Sequence, residues 1–182
     1  FYTSILKKFM IKIAYNKGDQ RDLNRELNYI KILKKRHKNY SILPNYYRPI
    51  KTNLGIGHIF ELICDYDGNR SHSLEDFLKT PEIFEKIFNI IVSLLKKLKY
   101  ELYQNEIITL VLFLSNIIFQ KTDYKSYNIR FINDMGSTVL VPLEYYFKYF
   151  AHTKILRRWE RFLISLYKKH PSFLVQKLIE KN

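Results

Sequence analysis

The run Asp65-Tyr66-Asp67-Gly68-Asn69 is a cluster of turn residues that divides the chain into two stretches of different periodicity. A chain so divided has to pack a strand-rich part against a helical one. Before the cluster, Phe9 to Tyr15 (FMIKIAY) is a short apolar run containing Lys12 and bounded by Gly18-Asp19, which predicts a strand. Leu23, Leu27, Ile30 and Leu33 then recur at helical spacing, predicting a helix over Gln20 to His37 with Asp19 as its cap and basic residues in its last turn. Tyr46 to Lys51 and His58 to Cys64, separated by Thr52-Asn53-Leu54-Gly55, read as a hairpin.

After the cluster the chain reads as helix as far as Tyr103. Ser73 with Asp76 forms a capping box, Thr80-Pro81 places a cap before a helix-starting proline, and the positions from Ile83 through Leu102 trace one apolar face. Ile107 to Phe119 (IITLVLFLSNIIF) is β-branched at both ends, which predicts two short strands flanking a buried turn at Leu114-Ser115-Asn116. A further strand is expected over Ile129 to Asn133 and a helix over Glu144 to Lys169, ended by Pro171. The expected organisation is one α+β domain with a small β-rich part carrying one helix (1–64), a hinge (65–72) and a mainly helical part (73–182).

Composition removes several classes. The 182 residues are 47% hydrophobic with 15 Tyr and 13 Phe, far from the composition of a disordered chain. Cys64 is the single cysteine, which excludes an internal disulfide and a thiolate zinc cluster and favours a small apolar role. His37, His58, His72, His152 and His170 contain no pair at metal-binding spacing, which argues against a zinc enzyme. The longest apolar stretch is shorter than the ~20 residues of a membrane span. The opening FYTSILKKFMIKIAY also lacks the order of a secretory leader, so a cytoplasmic location is expected. Because the chain begins at Phe1, a short preceding piece is expected too.

The formal net charge of +14 would attract nucleic acid, an acidic membrane surface or phosphorylated ligands, or reads as a solvated basic surface. Lys154, Arg157, Arg158, Arg161, Lys168 and Lys169 form a basic stripe on the last long helix, which reads as a solvated outer face or as a contact for phosphates or an acidic partner. No helix-turn-helix, RNA-binding or zinc-knuckle signature accompanies it.

The residues that carry chemistry stand in a definite order: a strand lysine, a helix glutamate, an asparagine after a buried turn, and an Asp-x-Gly after the next strand. This order resembles that of the protein-kinase-like fold, which implies roles for Lys12 and Glu26 in holding nucleotide phosphates and for Asn116 and Asp134 in holding metal ions. The chemistry is consistent. A cation in an apolar strand needs an anionic partner, and Glu26, on the helix that follows, is the candidate. Amide and carboxylate oxygens suit Mg²⁺, and Gly136 leaves the backbone free beside them. Each residue also has a plainer reading. Lys12 could face solvent from an edge strand, Glu26 could pair with Lys31 or Arg25, Asn116 could satisfy a structural turn, and Asp134 could be turn chemistry. Asp65 and Asp67 could suggest an acid–base or metal pair, but Asp-Tyr-Asp-Gly-Asn reads more simply as a turn.

MIKIAYNKGDQRDLNRELNYI (Met10 to Ile30), LGIGHIFELICDYDGNRSHSLEDF (Leu54 to Phe77), YQNEIITLVLFLSNIIF (Tyr103 to Phe119) and NDMGSTVLVPL (Asn133 to Leu143) resemble the PhoP regulatory network protein YrbL family. The resemblance runs from about Tyr2 to the Trp159 region. It implies a bacterial cytoplasmic protein of two-lobed protein-kinase-like fold, tied to a two-component regulatory network and so to a regulatory protein partner. Aligned on Asn116, however, the catalytic aspartate of a protein kinase falls at Val111 and its neighbouring lysine at Phe113. Neither can take a proton or neutralise a phosphoryl group. The Gly-rich phosphate loop lies outside the chain, and Asn133 competes with Asp134 for the metal position. The favoured reading is therefore a YrbL-like regulatory protein with a degenerate, pseudokinase-like site for ATP and Mg²⁺. An active small phosphotransferase and a basic interaction module that binds nucleic acid or an acidic protein without nucleotide are the alternatives.

Overall fold

The computed structural model describes residues 9–36 and 40–182. Among them the chain is mixed α+β, with two three-stranded antiparallel sheets and six α-helices. Residues 1–8, and His37 as the expected helix end, lie outside the described residues. No described helix is long and apolar enough to cross a membrane.

The first sheet contains β1 (Phe9–Ile13), β2 (Tyr46–Thr52) and β3 (Gly55–Glu61) in the order β1-β3-β2. The hairpin closes at Asn53-Leu54, where the Thr52 hydroxyl donates to the Gly55 carbonyl and accepts from Leu54 N–H. Gly55 sits at φ +114°, a conformation that L side chains rarely adopt. β3 stops at Glu61, short of the expected Cys64. Cys64 is half-buried and its backbone forms an isolated bridge with Arg70 across the turn cluster. Within that cluster Asp67 accepts from Asn69, while the Asp65 carboxylate accepts from Ser71 Oγ and Lys121 N. Both aspartates are accounted for by turn structure.

Helix α1 (Lys17–Lys35) begins three residues earlier than its periodicity suggests. Asn16, not Asp19, is the cap: its side chain accepts from Asp19 N at 2.9 Å. The Asp19 carboxylate returns the interaction, accepting from Tyr15 N and Asn16 Nδ2. This reciprocal arrangement offsets the ~1 kcal/mol disadvantage of Gly18 in the first turn. The helix buries Leu23, Glu26, Leu27, Tyr29, Ile30 and Leu33.

The second sheet, in the order β4-β5-β6, contains β4 (His72–Ser73), β5 (Ile117–Lys121) and β6 (Tyr127–Phe131). Ser73 and Asp76 make the expected capping box at the start of α2 (Leu74–Leu78). The Thr80 side chain does not cap α3 (Pro81–Lys86); its hydroxyl donates to the Asp76 carbonyl. The single apolar face expected from Ile83 is broken at Ile87, whose φ of −107° and ψ of 13° leave the helical region and separate α3 from α4 (Phe88–Gln104). Ile91, Leu94, Leu95, Leu98 and Leu102 of α4 form the core with Trp159, Phe162 and Leu166 of α5 (Lys148–Lys169) and Phe119, Ile129 and Phe131 of the sheet. Helix α6 (Phe173–Glu180) adds Val175 and Leu178.

The segment 107–119 holds one strand rather than two. Thr109 makes only an isolated bridge to Met135, and a 3₁₀ turn over Leu114–Asn116 then leads into β5. The partner segment explains this: Asn133 (φ 62°) and Asp134 (φ 51°) are left-handed, so β6 ends at Phe131 and no longer ladder can form. The helix expected from Glu144 is a 3₁₀ turn over Leu143–Tyr145, and α5 starts at Lys148.

Two polar seams join the parts. Arg130 Nη2 donates to Glu61 Oε2 (2.8 Å) and to the Leu43 carbonyl (3.0 Å), and Phe131 N donates to Ile42 O (2.7 Å). The Tyr29 hydroxyl accepts from Ile108 N (2.7 Å) and donates to the Glu106 carbonyl (3.1 Å), which fixes α1 to the segment after α4.

Lys154 departs from the expected basic stripe. It is buried and paired with Glu144, and it donates to Ser137 Oγ at 2.8 Å, tying α5 to the segment after β6. Burial pushes the Glu144 carboxyl upward, but hydrogen bonds from Lys154 and Ser137 outweigh it and hold the group below its ordinary range.

Two predictions follow from these seams. Arg130→Ala leaves the Leu43 carbonyl and Glu61 without their donor and is expected to destabilise by about 1–3 kcal/mol in denaturant unfolding; an unchanged midpoint would contradict the seam. Glu144 has a folded pKa below the unfolded-chain value of 4.5, so its contribution is full above about that pH and is lost as pH falls through the lower folded value. Glu144→Gln is therefore expected to be less stable than the parent near pH 7, with the gap narrowing as the pH falls below about 4.5. A gap independent of pH would count against the pair.

Candidate functional site

Lys12 lies in the middle of β1, with its backbone opposite His58 of β3. The strand turns its side chain toward α1, where Lys12 Nζ donates to both carboxylate oxygens of Glu26 at 2.9 Å. The two side chains are 19% and 7% exposed, and the ammonium also lies 4.3 Å from the centre of the Phe60 ring. The pair is therefore held by charge and by an aromatic face together. β1 is an edge strand in its sheet, yet Lys12 does not face open solvent. Arg25, the alternative partner for Glu26, pairs with Asp22 at 2.6 Å instead.

Asn116 ends the 3₁₀ turn and is buried, while Asp134 follows β6, so the antiparallel pairing of β5 with β6 brings residues 18 apart in sequence together. Asn116 Nδ2 donates to Asp134 Oδ2 at 2.7 Å. Among the described residues Asn116 Oδ1 accepts only a long contact, 3.4 Å, from Asn133 Nδ2. The left-handed backbone at Asn133 and Asp134 is tolerated by short polar side chains and aims both at the same place. Gly136, at φ +96°, completes the turn; a Cβ there would lie 3.0 Å from the Tyr145 hydroxyl and 3.2 Å from Tyr29 Cβ.

These residues converge. Lys12, Glu26, Asn133 and Asp134 line one cleft of about 200 Å³ between β1, α1 and the segment after β6, with Asn116 behind Asp134. The cleft also takes in Asp19, Asp22 and Arg25, which the reading of the sequence did not single out for the site. The signal was present: Asp19, Asp22 and Glu26 are spaced i, i+3, i+7 and so share one helix face. Among the described residues no group of three His, Cys, Asp or Glu is placed to hold a metal ion. Beside the end of β6 the hard donors are Asp134 Oδ1, which accepts no hydrogen bond among the described residues, and Asn116 Oδ1, which among them has only the long contact. One carboxylate and one amide oxygen suit Mg²⁺, which commonly takes one or two protein carboxylates and completes its shell with phosphates and water. The donor chemistry therefore fits the ion.

The segment leading to Asn116 carries no acid or base. Val111 is half-buried and Phe113 is exposed. Below the cleft, the Tyr145 ring stacks on Tyr29 with centroids 4.8 Å apart, and its hydroxyl accepts from Ser137 N. The chain after Asp134 is thus anchored to α1, the same helix that supplies Glu26.

Comparison with known proteins supports the family resemblance of the sequence. The YrbL proteins of Escherichia coli (strain K12) and Shigella flexneri, both described as uncharacterized, are each 32% identical over 155 residues, which cover 84% of this chain and 73% of each relative. Residues 6–167 match the family described as PhoP regulatory network protein YrbL, and the chain belongs to that family.

Proposed function

We propose that the chain is a regulatory protein of the PhoP network with a two-lobed protein-kinase-like fold, which binds ATP with Mg²⁺ in the cleft between Lys12 and Asp134. The observation that carries this reading is the Lys12–Glu26 ion pair lining the same cleft as Asp134. A lysine fixed by a buried glutamate is a preorganised phosphate ligand: Glu26 selects its rotamer, and its third N–H stays available to a phosphate oxygen. Asn116 and Asp134 would hold Mg²⁺, which supplies charge neutralisation of the phosphates when bound. Their hydrogen bond and the left-handed turn set the donors before any ligand arrives.

Binding is proposed without efficient phosphoryl transfer. In a kinase-like alignment Val111 stands where a proton acceptor is needed and Phe113 where a cation is needed. The role is then that of a nucleotide-sensitive regulator, in which ligand binding alters how the chain engages a protein partner. A nucleotide-independent interaction module is the second reading, favoured by the Arg157, Arg158 and Arg161 cluster on α5.

Thermal unfolding with and without ATP and Mg²⁺ tests the proposal. At a hundredfold excess over Kd the parent is expected to gain about 2.7 kcal/mol. The shift should vanish in Lys12→Met/Glu26→Gln, which removes the pair without leaving a buried charge, and in Asp134→Asn, which keeps a residue tolerant of the left-handed turn. Equal shifts in parent and variants, or no shift in the parent, would refute it.

A further inference from the structure

Lys12, Arg130 and Lys154 each meet a carboxylate, but a row of cations on α5 meets none among the described residues. Arg158, Arg161, Ser165 and Lys169, spaced i, i+3, i+7 and i+11, form a stripe along one side of the helix. They line a cavity of about 220 Å³ whose opposite wall is the segment Val111 to Leu114, with Phe162 and Leu166 completing it. Three cations and a hydroxyl thus face an apolar wall, and no carboxylate lines the cavity.

Among the described residues, Arg158 Nε is buried and has no hydrogen-bond partner. The ion pairs of the described residues likewise leave out Arg158, Arg161 and Lys169. Burial, and then the charges of Arg161 and Arg157, hold the Arg158 guanidinium below its ordinary value. Arg158 is half-buried beside the exposed Arg161 and Lys169, and an anion entering the cavity would relieve both the repulsion on Arg158 and its orphaned N–H.

We propose that this cavity binds the phosphate group of a small organic phosphate monoester. Three converging cations exceed what one carboxylate needs, whereas a phosphate near neutral pH carries close to two charges and offers three acceptor oxygens. Guanidinium forks match that group. The volume is below the ~300–1,000 Å³ of pockets that enclose a whole drug-sized ligand, so the charged head enters and a short organic body lies on Leu112, Phe113 and Phe162. The site is separate from the Lys12 cleft and does not rest on nucleotide binding there. It adjoins it through the wall segment, which runs directly into Asn116.

The intact chain titrated with phenyl phosphate at constant ionic strength tests this, with inorganic phosphate and phosphatidylcholine vesicles containing phosphatidic acid as the other arms. Phenyl phosphate is expected to bind more tightly than inorganic phosphate, and Arg161→Gln to weaken it about tenfold, equal to ~1.4 kcal/mol. Lys12→Met/Glu26→Gln should bind phenyl phosphate as the parent does. Without ligand, Arg161→Gln should unfold at or above the parent's temperature, because it removes one of the like charges. The proposal is overturned by no binding in the parent, by equal binding in Arg161→Gln, by a lowered unfolding temperature in that variant, or by binding to the vesicles alone.

Discussion

A cation that leaves water needs an anion, and three little-exposed ion pairs among the described residues hold elements of the fold together. Lys12–Glu26 joins β1 to α1, Arg130–Glu61 joins β6 to β3, and Lys154–Glu144 joins α5 to the segment after β6. In each pair both side chains are largely withdrawn from solvent. Removing one partner strands the other, and the penalty for that is larger than the net worth of the intact pair. The pairs therefore act as register marks. They specify which strand faces which helix in a core that is otherwise built of interchangeable Ile, Leu and Phe.

The candidate site inherits its geometry from these marks. Glu26 is fixed because α1 is clamped by the Tyr29 hydroxyl to the backbone of Glu106 and Ile108. Asp134 is fixed because Leu110 N donates to its carbonyl and Gly136 N donates to Ile108 O. One short segment, 106–110, thus locates both walls of the cleft. Tyr145, lying against Tyr29 and receiving Ser137 N, carries the same constraint on to the Lys154–Glu144 pair. A ligand that separated Asp134 from Asn116 would be felt along this chain of contacts, which gives a regulatory protein a physical path from cleft to surface.

Much of this was legible in residue order. Strand, helix and hairpin followed from apolar spacing and from Asn53-Leu54-Gly55, and the Ser73–Asp76 box is local chemistry. The pairing of Lys12 with Glu26 could be read because a lone cation in an apolar strand has few carboxylates near in sequence. Other features depend on tertiary placement. Asn16 took the cap from Asp19 because the two side chains satisfy each other, which a count of apolar positions does not register. Lys154 looked like part of a basic stripe because charge pattern carries no information about burial, and its partner Glu144 lies outside any helical repeat. The first half of 107–119 had strand propensity but found a partner only at Met135, since the left-handed turn at Asn133 and Asp134 ended the ladder. The contrast between paired Lys154 and unpaired Arg158 on one helix likewise appears only in three dimensions.

In the proposed function the oxygens of Asn116 and Asp134 meet a divalent ion carried by a nucleotide. Paramagnetic broadening by Mn²⁺, substituted for Mg²⁺ in the presence of a non-hydrolysable ATP analogue, reads that contact directly in amide spectra of the intact chain. The signals of Asn116, Asn133, Asp134 and Met135 are expected to disappear first, only when nucleotide is present, and to persist in Asp134→Asn. Broadening without nucleotide dependence, or broadening centred on other residues, would contradict it.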